Sequence, residues 1–373
     1  MFCKAAGHNK SVIRYSPFAI MLRRGYNLSF LRFVATSLCR GAAVLALLLF
    51  PLMLVAEPGI VWPTPNPAFQ EGRPVEDFIQ PTASGRIESG LFGCTRNDGA
   101  RFHEGIDLFP IFRDRNREAT DPIYAVLPGR VAYINNIAGH SSYGRYIIVE
   151  HPHVTPAVHT LYAHMRSFAP GLEVGSPVEA GTVLGVMGRS AGGYTIPRER
   201  AHLHFEIGFR FSDRFQQWFD EQGFGSRNHH GVWNGMNMVG IDPLDFYTQL
   251  RNGSVATIRQ YLQSEPVAAV LRVHRAQTPD FVQRYPALLK RPLDRNRELA
   301  GWDIHFTWYG LPLLWDPLYR DEGVRGNAGS VQILRYNRTL IDANRCRRLL
   351  SFAADGSASL ARFGESTLNK LIW

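Results

Sequence analysis

Between residues 85 and 210 the chain repeats short runs of β-branched and aromatic residues, broken by glycine-rich turns, and no apolar stripe of helical period crosses the block. Residues 145–151 (RYIIVEH) have the make-up of a buried strand. Further strands are expected at 159–165 (HTLYAHM), 183–187 (VLGVM) and 202–209 (HLHFEIGF), with the glycine-rich 171–193 supplying turns. Residues 123–134 (IYAVLPGRVAYI) read as a hairpin about Pro128-Gly129. The expectation is a mainly β, antiparallel two-sheet domain.

Other compositions flank this block. Residues 57–84 are proline-rich and read as an extended linker, because proline supplies no backbone donor to a helix or a central strand. Residues 211–250 are aromatic and rich in Asn, Gly and His, a long loop with short helical pieces that ends in IDPLDFY. Residues 251–373 read as a smaller C-terminal α+β region of unknown function. A helix is expected there near 255–264, a strand at 302–309 (WDIHFTWY), and a hairpin turning at Asp355-Gly356.

The net charge of +9 invites a nucleic-acid reading, and its distribution removes it. Of the 41 basic residues, seven lie in residues 1–56, which hold no acidic residue, leaving 34 basic against 32 acidic in the rest. No nucleic-acid partner is expected. The basic leader runs into fifteen apolar residues, Ala42 to Ala56, the pattern of a secretory signal peptide over 1–56. A retained anchor is the alternative, although Arg40 and Pro51 hold the run below the roughly 20 residues of a spanning helix. The chain is therefore expected to be exported, to a periplasm or cell envelope. Cys3 and Cys39 leave with the leader, and Cys94 and Cys346 remain. In an oxidising compartment two cysteines suggest one intramolecular disulfide, with two buried thiols as the alternative.

Chemistry concentrates in three short segments of the β block: HEGID, with His103 and Asp107; LYAHM, with His164; and HLH, with His202 and His204. A period of two puts His202, His204 and Glu206 on one face of their strand, opposite Leu203, Phe205 and Ile207. The same period puts Thr160, Tyr162 and His164 together, opposite Leu161, Ala163 and Met165. Strands with one apolar face need no imidazoles on the other in order to fold. Two imidazoles and a carboxylate suit Zn²⁺, whose catalytic sites keep three protein ligands and one open position. His103, Asp107 and one of the paired histidines would complete such a set. His229 and His230 are adjacent and read as a solvated loop rather than a second site, and Tyr143 and Tyr162 read as core aromatics, with a place lining the cleft as the alternative.

HEGIDL, LYAHM and AHLHFEI together resemble the signatures of the lysostaphin-type (LytM-like) zinc metallo-endopeptidases, hydrolases of the peptide cross-links of peptidoglycan. IYAVLPGRVAYI, SSYGRYIIVEH and VGSPVEAGTVLGVMG fit the same pattern. The resemblance implies an antiparallel two-sheet β domain with an open groove over 85–250, one Zn²⁺ per chain and no small-molecule cofactor. It implies His103, Asp107 and His204 as zinc ligands and His164 and His202 as the catalytic pair, one taking a proton from water and the other stabilising the oxyanion. Peptidoglycan is the implied partner; both a D-alanyl–diaminopimelate link and a glycine bridge fit. Two segments depart from the family pattern: the long stretch before HLH, with Arg198, Glu199 and Arg200, and an insertion within 211–240. A second reading keeps the fold without the chemistry, as a silent or latent peptidoglycan-binding or amidase-activating protein. A lipoyl or biotin carrier is excluded, because beyond residue 56 the lysines are Lys290 and Lys370, both outside the β block.

Overall fold

The computed structural model describes residues 59–372, so the leader and its signal-like run Ala42–Ala56 lie outside the described residues. Among the described residues no helix is long and apolar enough to cross a membrane. The first strands in chain order are β1 (Gly93–Arg96), β2 (Arg101–His103), β3 (Ile106–Leu108), β4 (Pro122–Tyr124), β5 (Gly129–Asn135) and β6 (Tyr146–His151). They are followed by β7 (Val158–Ala163), β8 (Ser167–Phe168), β9 (Pro177–Val178), β10 (Val183–Val186), β11 (Leu203–Arg210) and β12 (Met238–Ile241). The largest sheet has the order β12-β11-β7-β6-β5-β9, with β3 also paired to β11. A three-stranded sheet β4-β10-β8 and the hairpin β1-β2 accompany it, and the pairs between these strands are antiparallel.

The strand patterns explain this layering. Phe205, Ile207 and Phe209 of β11 join Tyr162, Ile147 and Val149 from the neighbouring strands, and Ile123, Val126 and Leu184 close the same core. Burial of each such side chain contributes about 1.5–3 kcal/mol. The opposite face carries Tyr146, Ile148, Leu161 and Ala163, which Trp233 and Met238 cover. Both faces of the central strands are thus buried, one by a sheet and one by the Asn- and His-rich loop.

Two sequence expectations are corrected. Residues 123–134 do not form a hairpin: β4 lies in the three-stranded sheet and β5 in the large one. Pro128-Gly129 carries the chain from layer to layer instead, and a Cβ on Gly129 would come within 2.3 Å of the Glu150 carbonyl. Residues 57–84 do not run as an extended linker either. From residue 59 they wrap the sheet with Trp62, Phe69, Phe78 and Ile79 buried, and the Trp62 ring stacks on Phe69 at 4.4 Å. Proline deprives a ladder of donors but does not stop neighbouring aromatic rings from burying. Ile79 bridges Leu108 of β3, and the Gln80 N–H donates to the Asp107 carbonyl at 2.8 Å.

Residues 211–250 hold α1 (Phe215–Glu221), two 3-10 turns and α2 (Pro243–Arg251). The Asp242 carboxylate caps α2 by accepting from the Leu244 and Asp245 N–H groups, with Pro243 in the first turn. Beyond lie α3 (Ile258–Ser264), β13 (Ala269–Val273), α4 (Asp280–Arg284), β14 (Leu299–Phe306) and β15 (Pro312–Tyr319). After these come β16 (Val331–Tyr336), α5 (Arg338–Ala343), β17 (Leu350–Phe352), β18 (Ala358–Leu360) and α6 (Arg362–Ile372). An antiparallel sheet β15-β14-β13-β16 organises this region, and β17 and β18 form the hairpin expected about Asp355-Gly356. Its Trp302, Phe306 and Trp315 share one hydrophobic cluster with Phe205 and Phe102, so the core does not divide at residue 250. Cys94 of β1 and Cys346 are joined by a disulfide across 252 residues of chain.

Candidate metal centre

The site is assembled on β11 from both sides. Asp107 of β3 lies directly opposite His204 in the antiparallel register. The approach between them requires Gly105 of HEGID, where a Cβ would meet the Phe205 carbonyl at 2.1 Å. His103 closes β2. His103 Nε2, His204 Nδ1 and Asp107 Oδ1 form a nearly equilateral triangle: 3.0 Å between the imidazoles, 3.2 Å and 3.1 Å to the carboxylate. The edge of a tetrahedron is about 1.6 times its centre-to-corner distance, so ligands ~2.0–2.1 Å from a zinc ion stand ~3.3 Å apart. The donor set therefore fits a tetrahedral ion, and all three side chains are buried.

The hydrogen bonds around the triangle fix which atoms face it. His103 Nδ1–H donates to the Leu91 carbonyl at 2.8 Å, leaving Nε2 an acceptor. His204 Nε2–H donates to Glu206 Oε1 at 2.8 Å, which turns Nδ1 toward the triangle. Glu206 in turn accepts from the Tyr143 hydroxyl at 2.6 Å. The triangle favours positive charge, and a proton can take that place: burial works against charge on His204, yet Nδ1–H shared with Asp107 Oδ1 and Nε2–H shared with Glu206 raise it to about 9, so a metal ion bound here displaces the Nδ1 proton. Burial also opposes charge on Asp107, but His103, His202 and Arg96 hold it well below the usual carboxylate range. Arg96 of β1 donates to Asp107 Oδ2 at 2.5 Å and lies 2.7 Å from His103 Nε2.

His164 and His202 stand beside the triangle, their rings 4.6 Å apart. His202 Nδ1–H donates to the Arg200 carbonyl at 2.7 Å, and its Nε2 lies 3.6 Å from Asp107 Oδ1. His164 Nδ1–H donates to the Ser190 carbonyl at 2.8 Å. Burial is the main cause that lowers both rings, His164 well below the ordinary imidazole value, so each is neutral with an acceptor Nε2. Strict alternation on β7 would have placed His164 on the face of Tyr162, which is the core face. Instead β7 ends at Ala163, and His164 takes φ +59°, a left-handed conformation uncommon for a non-glycine residue. That turn brings its ring to 6.0 Å from the His204 ring.

The structure thus brings His103, Asp107, His164, His202 and His204 together and leaves His229 and His230 apart. His229 stacks on His140 at 4.0 Å, and His230 bonds the Tyr133 hydroxyl and the His140 carbonyl in the covering loop. Tyr162 is core, its hydroxyl accepting from the Val126 N–H. For Tyr143 the alternative to a core reading holds: it reaches the site through Glu206. Sequence reasoning placed Glu206 on the face of the two histidines without giving it a task. It missed Arg96, which nothing in the local pattern separates from other surface arginines.

Residues 101–214 match the sequence profile of Peptidase family M23, a span that contains HEGIDL, LYAHM and AHLHFEI. The resemblance read from those motifs is therefore shown for this segment. No curated protein matches the chain. Among solved structures it is similar to a Ruminococcus gnavus protein described as a glycyl-glycine endopeptidase, at 25% identity over 42% of this chain and 48% of that one, with a TM-score of 0.26. It is also similar to the catalytic domain of the antimicrobial peptidase lysostaphin from Staphylococcus simulans (20% identity, 43% of this chain, 87% of that one, TM-score 0.26). A zinc-containing peptidase of Vibrio cholerae matches at 24% identity over 35% of each chain, with a TM-score of 0.24. The chain spans about half the length of the Ruminococcus protein.

Proposed function

We propose that the protein is an exported zinc-dependent endopeptidase that hydrolyses the peptide cross-links of peptidoglycan. The observation that carries this reading is the buried triangle of His103 Nε2, Asp107 Oδ1 and His204 Nδ1, with the outer nitrogen of each imidazole anchored by its own hydrogen bond. These three residues would hold one Zn²⁺, which when bound polarises the scissile carbonyl and lowers the pKa of the attacking water. The M23 match over 101–214, in a chain whose leader reads as secretory, favours a wall peptide as substrate.

His202 and His164 handle the protons. Both rings are neutral, and each has its Nδ1–H anchored to a backbone carbonyl, so Nε2 accepts the proton of the attacking water. A ring that has taken that proton presents Nε2–H as the donor for the oxyanion or for the departing amine. Asp107 Oδ1, 3.6 Å from His202 Nε2, stabilises that imidazolium.

The purified protein, incubated with isolated sacculi, should convert cross-linked muropeptide dimers to monomers, read by mass spectrometry. His204→Ala should lose zinc and cleavage together, whereas His202→Ala should keep near-native zinc and lose on the order of a hundredfold in rate. Full activity in His204→Ala removes the zinc assignment, and zinc loss in His202→Ala exchanges the two histidines' roles. Zinc bound without any cleavage would support the silent, peptidoglycan-binding reading.

A further inference from the structure

Asp107 of the donor triangle and His202 beside it line a cleft of about 450 Å³ whose charged lining is four arginines, Arg86, Arg96, Arg101 and Arg200, against two aspartates, Asp98 and Asp107. Both aspartates are committed. Asp98 pairs with Arg86 at 3.0 Å, and Asp107 pairs with Arg96 while facing the imidazoles. Arg101 and Arg200 have no acidic partner within ion-pair distance among the described residues. Arg101 stands directly across from Arg96 in the β1–β2 register, an opposition of like charges that costs stability in a sheet. Arg200 ends the Arg198–Arg200 turn, in the stretch that departs from the family pattern. Arg113 holds that turn by donating to the Arg198 and Glu199 carbonyls, and the Arg200 carbonyl receives His202 Nδ1–H. The one segment thus positions both a catalytic-pair ring and an unpaired guanidinium.

We propose that Arg101 and Arg200, beside Arg96, form a carboxylate subsite. It selects a cross-link whose scissile nitrogen sits on a carbon that also bears a free carboxylate, as in a D-alanyl–diaminopimelate link, over a glycine bridge. This rests on the peptidase reading above. A guanidinium fork takes a carboxylate through two parallel charge-assisted hydrogen bonds. A glycine bridge offers no carboxylate beside the scissile nitrogen, so its docking would leave the two guanidinium groups without an anionic partner. The remainder of the chain beyond the leader is nearly neutral, which makes the cleft a local device rather than part of a basic surface.

The test uses the full protein and two cross-linked peptide dimers that differ in one group: the carboxylate beside the scissile nitrogen is free in one and a carboxamide in the other. Wild type should cleave the acid with roughly tenfold or greater preference in kcat/KM, the scale of a charge-assisted hydrogen bond. Arg101→Gln and Arg200→Gln should each shrink that ratio, and the double variant should bring it near one; Arg101→Lys should retain part of it. Thermal melts of each variant separate loss of selectivity from loss of fold. Binding of the diaminopimelate tripeptide product, acid against amide, is measured in parallel by calorimetry. Equal treatment of acid and amide by wild type in both assays overturns the subsite while leaving hydrolysis intact. Acid-selective binding that the arginine variants abolish, in the absence of any cleavage, upholds the subsite and sinks the peptidase reading alone.

Discussion

Glu206 accepts from His204 Nε2–H and so turns Nδ1 toward the triangle, and it is itself held by the Tyr143 hydroxyl. Partners of this kind typically govern ten- to a hundredfold in metal affinity. Glu206→Gln, which keeps an acceptor and removes the charge, should weaken zinc about tenfold in a chelator competition; unchanged affinity would deny Glu206 this orienting part. His164 poses a different problem, because its φ of +59° is easy for glycine and costs other residues roughly 1–2 kcal/mol. His164→Gly should therefore melt higher than His164→Ala, with both inactive, and the reverse order of melting would mean that the ring rather than the backbone sets the local energy. The sequence made the five central residues legible because they fall in three dense motifs. It could not show His164 leaving its strand's alternation, since that departure depends on Ser190 and Tyr143 supplying bonds from elsewhere in the chain.

The hairpin β1-β2 carries Arg96, Arg101 and His103, and it is braced from the C-terminal region. Phe102 lies edge-on to Trp308 and 3.7 Å beneath the Arg347 guanidinium, which also pairs with Glu104 at 2.7 Å. The Cys94–Cys346 disulfide pins the same hairpin. Reduction should lower stability by about 2–5 kcal/mol and slow hydrolysis, because the strand end that aims His103 is loosened. A melting temperature unmoved by reductant would show that the packing of Phe102 and Trp308 suffices. At this scale the strands at 145–151, 159–165, 183–187 and 202–209 were legible from periodicity and residue type. The hairpin expected at 123–134 was not realised, since strand partners are settled by distant residues: Val131 pairs with Val149, and Tyr124 with Val183.

Within the molecule as a whole, stability should depend on pH through two histidines that the site does not use. Burial pushes His151 down to about 4, and His159, beside Trp233, to about 3. Each binds its proton more readily in the unfolded chain, where the imidazole value is near 6.5. Their contribution is complete above that value and is lost as pH falls from 6.5 toward 4, at about 1.4 kcal/mol per pH unit and group. Denaturant midpoints should fall across this window, and His159→Phe should flatten the fall; an equally steep fall in that variant would remove His159 from the effect.

Beyond the central strands, the sequence left the largest gap in the proline-rich stretch. Its rings at Trp62 and Phe69 pack against Tyr247 of α2, with Phe78 edge-on to both, and Tyr247 donates its hydroxyl to the Val61 carbonyl at 2.6 Å. Such a contact between residues 186 positions apart is invisible to local pattern.

The bridge from Ile79 to Leu108 has a consequence for anyone shortening the chain to the span that matches a known family. Without residues 57–84 the short strand bearing Asp107 becomes a naked sheet margin, its amide and carbonyl groups open to any passing strand. Such a fragment should sediment as oligomers where the longer chain does not.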